Sequence, residues 1–340
     1  MTAFRTCREA ARPSAARPSA ARLALVFACA AALFAPSLSA QQSLPGRVVR
    51  DGEGVAGVRV QLHRVSQAAR GQIDSTVSAA GGAFSFRLPP VDTTAGFTVF
   101  FATAIADGVR YFGPAVHPGE TPAGYAIGVF DTASSQALAD SVRVSRRDLF
   151  LIPDMDGSMQ VAEIVRFRNP ARRTLVSESR PLVSIPLPSG IDRFEAGEGD
   201  RADSSRAATP GLARVGDRAW LTEPLVPGNR DVFFRYRVPA GVKRLPVSLG
   251  RDTDTLFVYV REPAPDVSAS GLGEGEPFQA EGDRFTRYVR TALRPDASIA
   301  IDWRGPQPPP VDPRWAALAI AGVILAAGAV LAARRSRAAG

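Results

Sequence analysis

Between residues 41 and 303 this 340-residue chain almost never keeps a helical rhythm of apolar residues. It runs instead in short alternating or β-branched stretches such as Val58–Leu62, Phe97–Ile105, Met159–Phe167, Val232–Val238 and Leu256–Val260, separated by Gly, Pro, Asn or Asp. Successive side chains of a strand point to opposite faces, so stretches of this kind bury one face against another layer. With no helices available to cover a sheet, the packing solution is sheet on sheet, and the chain is predicted to be all-β and built of sandwiches. Asp107-Gly108, Asp156-Gly157 and Gly282-Asp283 are the candidate tight turns, because Gly and Asp tolerate the positive φ that such turns require.

The two ends read differently. Arg5, Arg8, Arg12, Arg17 and Arg22 precede an apolar run from Leu23 to Ala35, and Ser37-Leu38-Ser39-Ala40 offers small residues for cleavage, so residues 1–40 are predicted to be a secretory signal peptide. At the other end Trp315 to Ala333 is an uncharged run of 19 residues. At about 1.5 Å per residue it reaches about 28 Å, close to the hydrocarbon thickness of a bilayer. Arg334, Arg335 and Arg337 follow it directly, so residues 315–333 are predicted to be a single transmembrane helix. Trp315 would sit at the outer interface and the basic tail 334–340 in the cytoplasm. Arg304 to Pro313 holds five prolines and is expected to act as a stiff extended spacer over 304–313.

This placement changes what the net charge of +8 means. Setting aside the five Arg and one Glu of the leader and the three Arg of the tail leaves 33 basic and 32 acidic residues, a nearly neutral remainder. No basic block with interleaved aromatics appears in it, so nucleic acid is not expected as a partner. Both cysteines, Cys7 and Cys29, lie in the leader, so disulfides, cysteine nucleophiles and thiolate metal sites are not expected in the mature chain.

One segment carries a motif. Gly46-Arg47-Val48-Val49-Arg50-Asp51-Gly52-Glu53-Gly54-Val55-Ala56-Gly57-Val58-Arg59-Val60-Gln61-Leu62 is followed by Thr76-Val77-Ser78 and by Gly82-Ala83-Phe84-Ser85-Phe86-Arg87-Leu88-Pro89. This pattern resembles the carboxypeptidase regulatory-like domain, with Val55 and Ala79 standing where that family usually has Pro and Asp. The resemblance covers residues 45–115. It implies a small transthyretin-like (prealbumin-like) seven-stranded sandwich over 43–122, with no catalytic residues of its own and a structural or interaction role. A Pro, an apolar run and an Arg cluster at the C-terminus also resemble the sorting signals cut by exosortases, with Val311-Asp312-Pro313 where those carry Pro-Glu-Pro.

Residues 123–303 resemble no family and are expected to form a second β-sandwich region of one or two subdomains. Its strand-like stretches are Val142–Ile152, Met159–Phe167, Leu182–Leu187, Leu212–Leu221, Val232–Val238, Thr255–Val260 and Phe285–Leu293, and Glu195 to Gly211 reads as a loop. Chemistry-bearing motifs are sparse. Zinc hydrolysis needs about three protein ligands, and the chain has two histidines, His63 in a predicted strand and His117 before Pro118 in a loop. Asp154-Met155-Asp156-Gly157 opens like a calcium loop, yet Met159 occupies the sixth position, where that loop needs glycine, so a hairpin turn is expected. Gly271-Leu272-Gly273-Glu274-Gly275 lacks the Lys-Ser/Thr and helix of a phosphate loop, and Asp252/Asp254 and Glu274/Glu276 read as turn residues.

No catalytic, cofactor or metal residue is therefore expected. The expectation is a non-enzymatic, single-pass protein anchored in the cytoplasmic membrane with a large periplasmic domain. Its β-sandwiches would present exposed apolar or aromatic edge strands to a protein partner in the cell envelope. A cell-surface carbohydrate-binding module is the alternative. Trp220, Tyr236, Tyr259 and Trp303 would be its stacking residues, though each also reads as core. A hydrolase, or an accessory factor of an envelope-assembly machine, is the remaining reading.

Overall fold

A computed structural model describes residues 42–304, apart from 68, 92–95, 121, 179–180, 198–210, 264–265 and 281. The expected leader, the spacer beyond Arg304, the helix 315–333 with Trp315, and the tail with Arg334, Arg335 and Arg337 lie outside the described residues. Among the described residues no helix is long and apolar enough to cross a membrane.

The described chain is nearly all β. Its first unit contains β1 (Ser43–Arg50), β2 (Glu53–Gly54), β3 (Arg59–Ser66), β4 (Arg70–Val77), β5 (Ala83–Arg87), β6 (Thr98–Ala106), β7 (Val109–Phe112) and β8 (Ala126–Gly128). β1 pairs antiparallel with β2 and β5 and parallel with β8, and this four-stranded sheet faces a second one ordered β4-β3-β6-β7. The alternation in β5 shows why. Phe84 and Phe86 point inward between exposed Ala83, Ser85 and Arg87, and they meet Leu44, Val48, Leu62 and Phe100 in one apolar core. Gly82 (φ +78) starts that strand, and a Cβ there would lie 2.2 Å from the Val48 carbonyl oxygen, so the turn admits only glycine. Tyr125, Ile127 and Val129 also belong to this core, which therefore extends past the boundary expected at 122.

The expected turn at Asp107-Gly108 is a two-residue hairpin with both residues at positive φ (50° and 75°), joining β6 to β7. Tyr111 on β7 reaches out of the first unit: its hydroxyl donates to the Phe130 carbonyl (2.9 Å) and meets Thr174 Oγ1 at 3.0 Å. Val176 and Val226 pack against the first core, so the two units share an apolar and hydrogen-bonded seam.

The second unit holds β9 (Thr132–Ala133), the short helix α1 (Gln136–Ser141), β10 (Arg143–Pro153), β11 (Met159–Asn169), β12 (Thr174–Leu175), β13 (Val183–Pro186), β14 (Asp192–Ala196), β15 (Leu212–Val215) and β16 (Arg218–Leu221). It continues with β17 (Gly228–Val238), β18 (Arg244–Pro246), β19 (Thr253–Arg261), β20 (Asp266–Ser270), β21 (Glu276–Ala280), β22 (Asp283–Leu293) and β23 (Ala300–Arg304). A seven-stranded sheet runs β14-β17-β11-β10-β19-β22-β21, antiparallel except for the central β10–β19 pair, which is parallel. Two three-stranded sheets, β13-β16-β15 and β18-β23-β20, supply the opposing layer.

One continuous core joins all three sheets, from Val144, Leu151, Val165 and Phe234 on the large one to Ile185, Leu221, Leu245 and Ile301 on the small ones. These three sheets thus form a single sandwich. The stretch expected as one strand over Leu212–Leu221 is two, β15 and β16, folded about Gly216 (φ +62). Glu195 and Ala196, expected in a loop, close β14, while 198–210 lie outside the described residues.

Candidate functional site

Glu163 on β11 and Arg147 on β10 sit on the inner face of the large sheet, where the alternation would place apolar residues. Glu163 is 0% and Arg147 2% exposed. Arg147 Nε donates to Glu163 Oε2 at 2.8 Å and its Nη1 to the Ser248 carbonyl at 2.7 Å, while the Tyr236 hydroxyl donates to Glu163 Oε1 at 2.8 Å. Burial, with the charge of Glu163 beside it, pushes the Tyr236 hydroxyl pKa well above its ordinary value, Arg147 opposing. Every strong donor and acceptor here is matched inside the protein, so this network holds the register of β10, β11 and β17 and presents no face to a ligand. Tyr236, expected as a stacking residue, is therefore a core residue. Trp303, buried to 3% exposure between the sheets, is another.

The outer face of the same sheet carries a second, smaller cluster. Phe150, Ala162, Tyr259 and Phe285 are buried there, with Phe257 and Phe278 partly so. Phe150 and Tyr259 stack at 4.6 Å between centroids. Arginines roof these rings: Arg146 lies 4.6 Å over Phe257 while forked onto Asp148 (2.7 and 2.8 Å), and Arg287 covers Phe278 while paired with Glu276 at 2.7 Å. Burial, then the nearby Asp148 charge, pushes the Tyr259 hydroxyl up to about 12, with Arg146 and Arg287 acting the other way. Tyr259, the third expected stacking residue, is thus shielded from solvent by its own neighbours.

Trp220 is the one expected stacking residue that faces a pocket. It is half-buried on β16 opposite Ser184 of β13. The pocket, of about 250 Å³, lies between that pair, α1 and Arg251. Arg218, two residues before Trp220, stacks on the indole at 5.6 Å and donates its Nε to Ser184 Oγ at 2.8 Å. Arg251 follows Gly250 (φ +70), where a Cβ would come within 2.7 Å of the Pro186 ring. Arg251 Nη1 donates to the carbonyls of Ala139 (2.6 Å) and Val142 (3.1 Å) and its Nη2 to that of Leu182 (3.4 Å). Burial lowers the Arg251 pKa, with Asp140 raising it and Arg218 lowering it further. Sequence reasoning singled out Trp220 by residue type but not Ser184 and Arg218, which meet across the β13–β16 pairing, or Arg251, which follows the turn at Gly250.

The first sandwich has an outer face of another kind. Phe112 on β7 is 67% exposed at one edge, and Val77 on β4 is 58% exposed at the opposite edge, where Ile73 of β4 is exposed too. Phe101 on β6 stacks on His63 (5.1 Å) and meets Phe112 at 6.1 Å. His63 Nε2 lies 3.1 Å from Thr103 Oγ1, and burial, then the Arg110 charge, lowers its pKa. His117 is exposed in its loop, its backbone N–H donating to Glu120 Oε2.

The remaining motifs resolve into turns. Asp154 and Asp156 close the β10–β11 hairpin, with Ser158 donating its N–H and hydroxyl to Asp156 Oδ1 at 2.9 and 2.6 Å. Asp254 pairs with Arg143 and Glu276 with Arg287, while Asp252 and Glu274 are exposed. Among the described residues no group of three or more His, Cys, Asp or Glu is placed to hold a metal.

No family model and no curated protein matches the chain. Among solved structures, an M1 zinc metallopeptidase from Deinococcus radiodurans is similar at 14% identity and a TM-score of 0.29, over 50% of this chain and 46% of that one. A putative protease from Parabacteroides distasonis is similar at 10% identity and a TM-score of 0.28, over 50% of this chain and 40% of that one. The chain spans less than half the length of each of these two proteins.

Proposed function

We propose that the chain is a non-enzymatic, membrane-anchored exported protein whose sandwiches serve as an interaction module in the cell envelope. Its carboxypeptidase regulatory-like first unit would do the docking. The observation that carries this reading is the bare face and edge of the β4-β3-β6-β7 sheet. β4 has seven exposed residues out of eight and no strand on its outer side among the described residues, and Val77 and Phe112 stand exposed on the adjoining face. An open edge offers a row of unpaired N–H and C=O groups; an extended segment of a partner protein would complete the hydrogen bonding at β4 beside Val77, while the body of that partner would cover the face as far as Phe112 on β7.

The leader and the uncharged run 315–333 support export and anchoring with the sandwiches outside the cytoplasm. A photo-crosslinking residue placed at Phe112 or Val77 of the full-length chain is expected to capture one protein partner in the membrane fraction, and the same probe at Arg146 is not. Equal capture at all three positions, or a chain recovered only in the soluble fraction, would refute the reading.

A further inference from the structure

The pocket beside Trp220 brings together two guanidiniums that no carboxylate pairs with among the described residues. Among the described residues neither Arg218 nor Arg251 stands in an ion pair; Asp140 acts on Arg251 from beyond ion-pair distance and is itself held by Gln136 Nε2 at 2.8 Å. Arg251 is fixed by neutral carbonyls alone, which orient its fork without cancelling its charge. Arg218 spends one of its five N–H donors on Ser184, and its other four have no hydrogen-bond partner among the described residues. Holding two like charges at a half-buried place without an anion is unfavourable, and a bound carboxylate would relieve it through short, charge-assisted, two-pronged hydrogen bonds.

The rest of the lining narrows the ligand. Trp220 gives a flat aromatic wall, and the Ser184 hydroxyl and Gln136 amide give polar groups in the lining. A volume of about 250 Å³ falls below the roughly 300–1,000 Å³ of sites that enclose a whole drug-sized molecule, so a single ring is what fits. A peptide C-terminus is ordinarily captured through backbone N–H groups, whereas the donors here are side chains around an indole. We propose that this pocket binds one acidic sugar ring. The free N–H groups of Arg218 take its carboxylate, Arg251 supplies the second positive charge, the ring lies along Trp220, and Ser184 and Gln136 meet its hydroxyls. This binding stands apart from the docking face of the first sandwich and survives or fails independently of it.

The test is a titration of the full-length chain in detergent micelles, read by tryptophan fluorescence, with sodium galacturonate, galactose, sodium acetate and a short peptide bearing a free C-terminal carboxylate. Galacturonate is expected to saturate the signal at least tenfold more tightly than any of the other three, and its affinity to fall as sodium chloride is raised. Arg218→Gln is expected to weaken galacturonate at least tenfold with the thermal midpoint unchanged, and Arg218→Lys to fall between, since an ammonium lacks the planar fork. Trp220→Phe, followed by calorimetry, should keep part of the affinity. Galactose binding as tightly as galacturonate would overturn the proposal, as would acetate or the peptide matching it, an unaltered affinity in Arg218→Gln, or no saturable binding of galacturonate at all.

Discussion

Two outward sheet faces of this molecule carry aromatic side chains, and they end in opposite conditions. On the large sheet of the second sandwich, arginines fixed by carboxylates lie across the rings, and Phe150 and Tyr259 are buried although no second layer of sheet covers them among the described residues. On the β4-β3-β6-β7 sheet, Phe101 leans on His63 and Phe112 is left 67% exposed. Burial of an aromatic face thus depends here on whether the neighbouring strand supplies a long cation with its own counter-charge. The second sandwich completes itself with Arg146, Asp148, Arg287 and Glu276. The first leaves apolar area in water, which is favourable only when something else covers it.

The contrast can be broken by substitution. The largest effect is expected inside the second sandwich. Glu163→Gln leaves the Arg147 charge buried without its partner and should cost about 3–5 kcal/mol of unfolding free energy, measured by urea denaturation. Replacing Arg147, Glu163 and Tyr236 together by Met, Leu and Phe should recover most of that loss. Phe150→Ala should cost about 3 kcal/mol, at the lower end for a buried ring because the roof over it can settle.

An intermediate effect concerns alkaline pH. The folded Tyr259 hydroxyl titrates near 12 and the unfolded one near 10. The unfolded chain therefore loses this proton first, and stability contributed by the neutral hydroxyl is complete below about pH 10 and lost as pH rises towards about 12. Tyr259→Phe should flatten that decline in thermal midpoint; an unchanged slope would place the ring in a more open setting. Arg143→Ala, which breaks an exposed pair with Asp254, should shift stability by less than about 1 kcal/mol and less still in high salt. Phe112→Ala is the smallest, within about 0.5 kcal/mol, while it should abolish the crosslinked species. A Phe112→Ala cost equal to that of Phe150→Ala would erase the distinction between the two faces.

Alternation made several of the long strands legible in the sequence: Met159–Phe167, Val232–Val238 and Leu256–Val260 all fall within strands. The same alternation carried a signal about Tyr236 and Trp303 that residue type obscured. Tyr236 is in phase with Val232, Phe234 and Val238, and Trp303 with Ile301 and Ile299, so both belong to the core face. Other features had no local signature. Leu-Phe-Val-Tyr-Val at 256–260 is apolar on both faces, so the run says that the strand is buried but not that an arginine from another strand lies over Phe257. The pocket gathers Gln136, Ser184, Trp220 and Arg251 from distant parts of the chain, which no spacing rule encodes. The stretch over Leu212–Leu221 did contain its turn, Gly216-Asp217, but the apolar residues on both sides masked it.

The parallel pairing of β10 with β19 in the middle of the large sheet has a consequence for how the molecule is made. Val144 meets Thr253 and Leu151 meets Val260, so about a hundred residues must be synthesised between one strand and its central neighbour. Contacts of such long sequence separation form slowly. Until residue 261 has left the ribosome, β10 is an edge strand and Phe150 has no Tyr259 to stack on. The sheet is completed at its centre after its β11 and β17 side is already available. A chain truncated before residue 253 would therefore expose an open, apolar strand at the heart of the second sandwich.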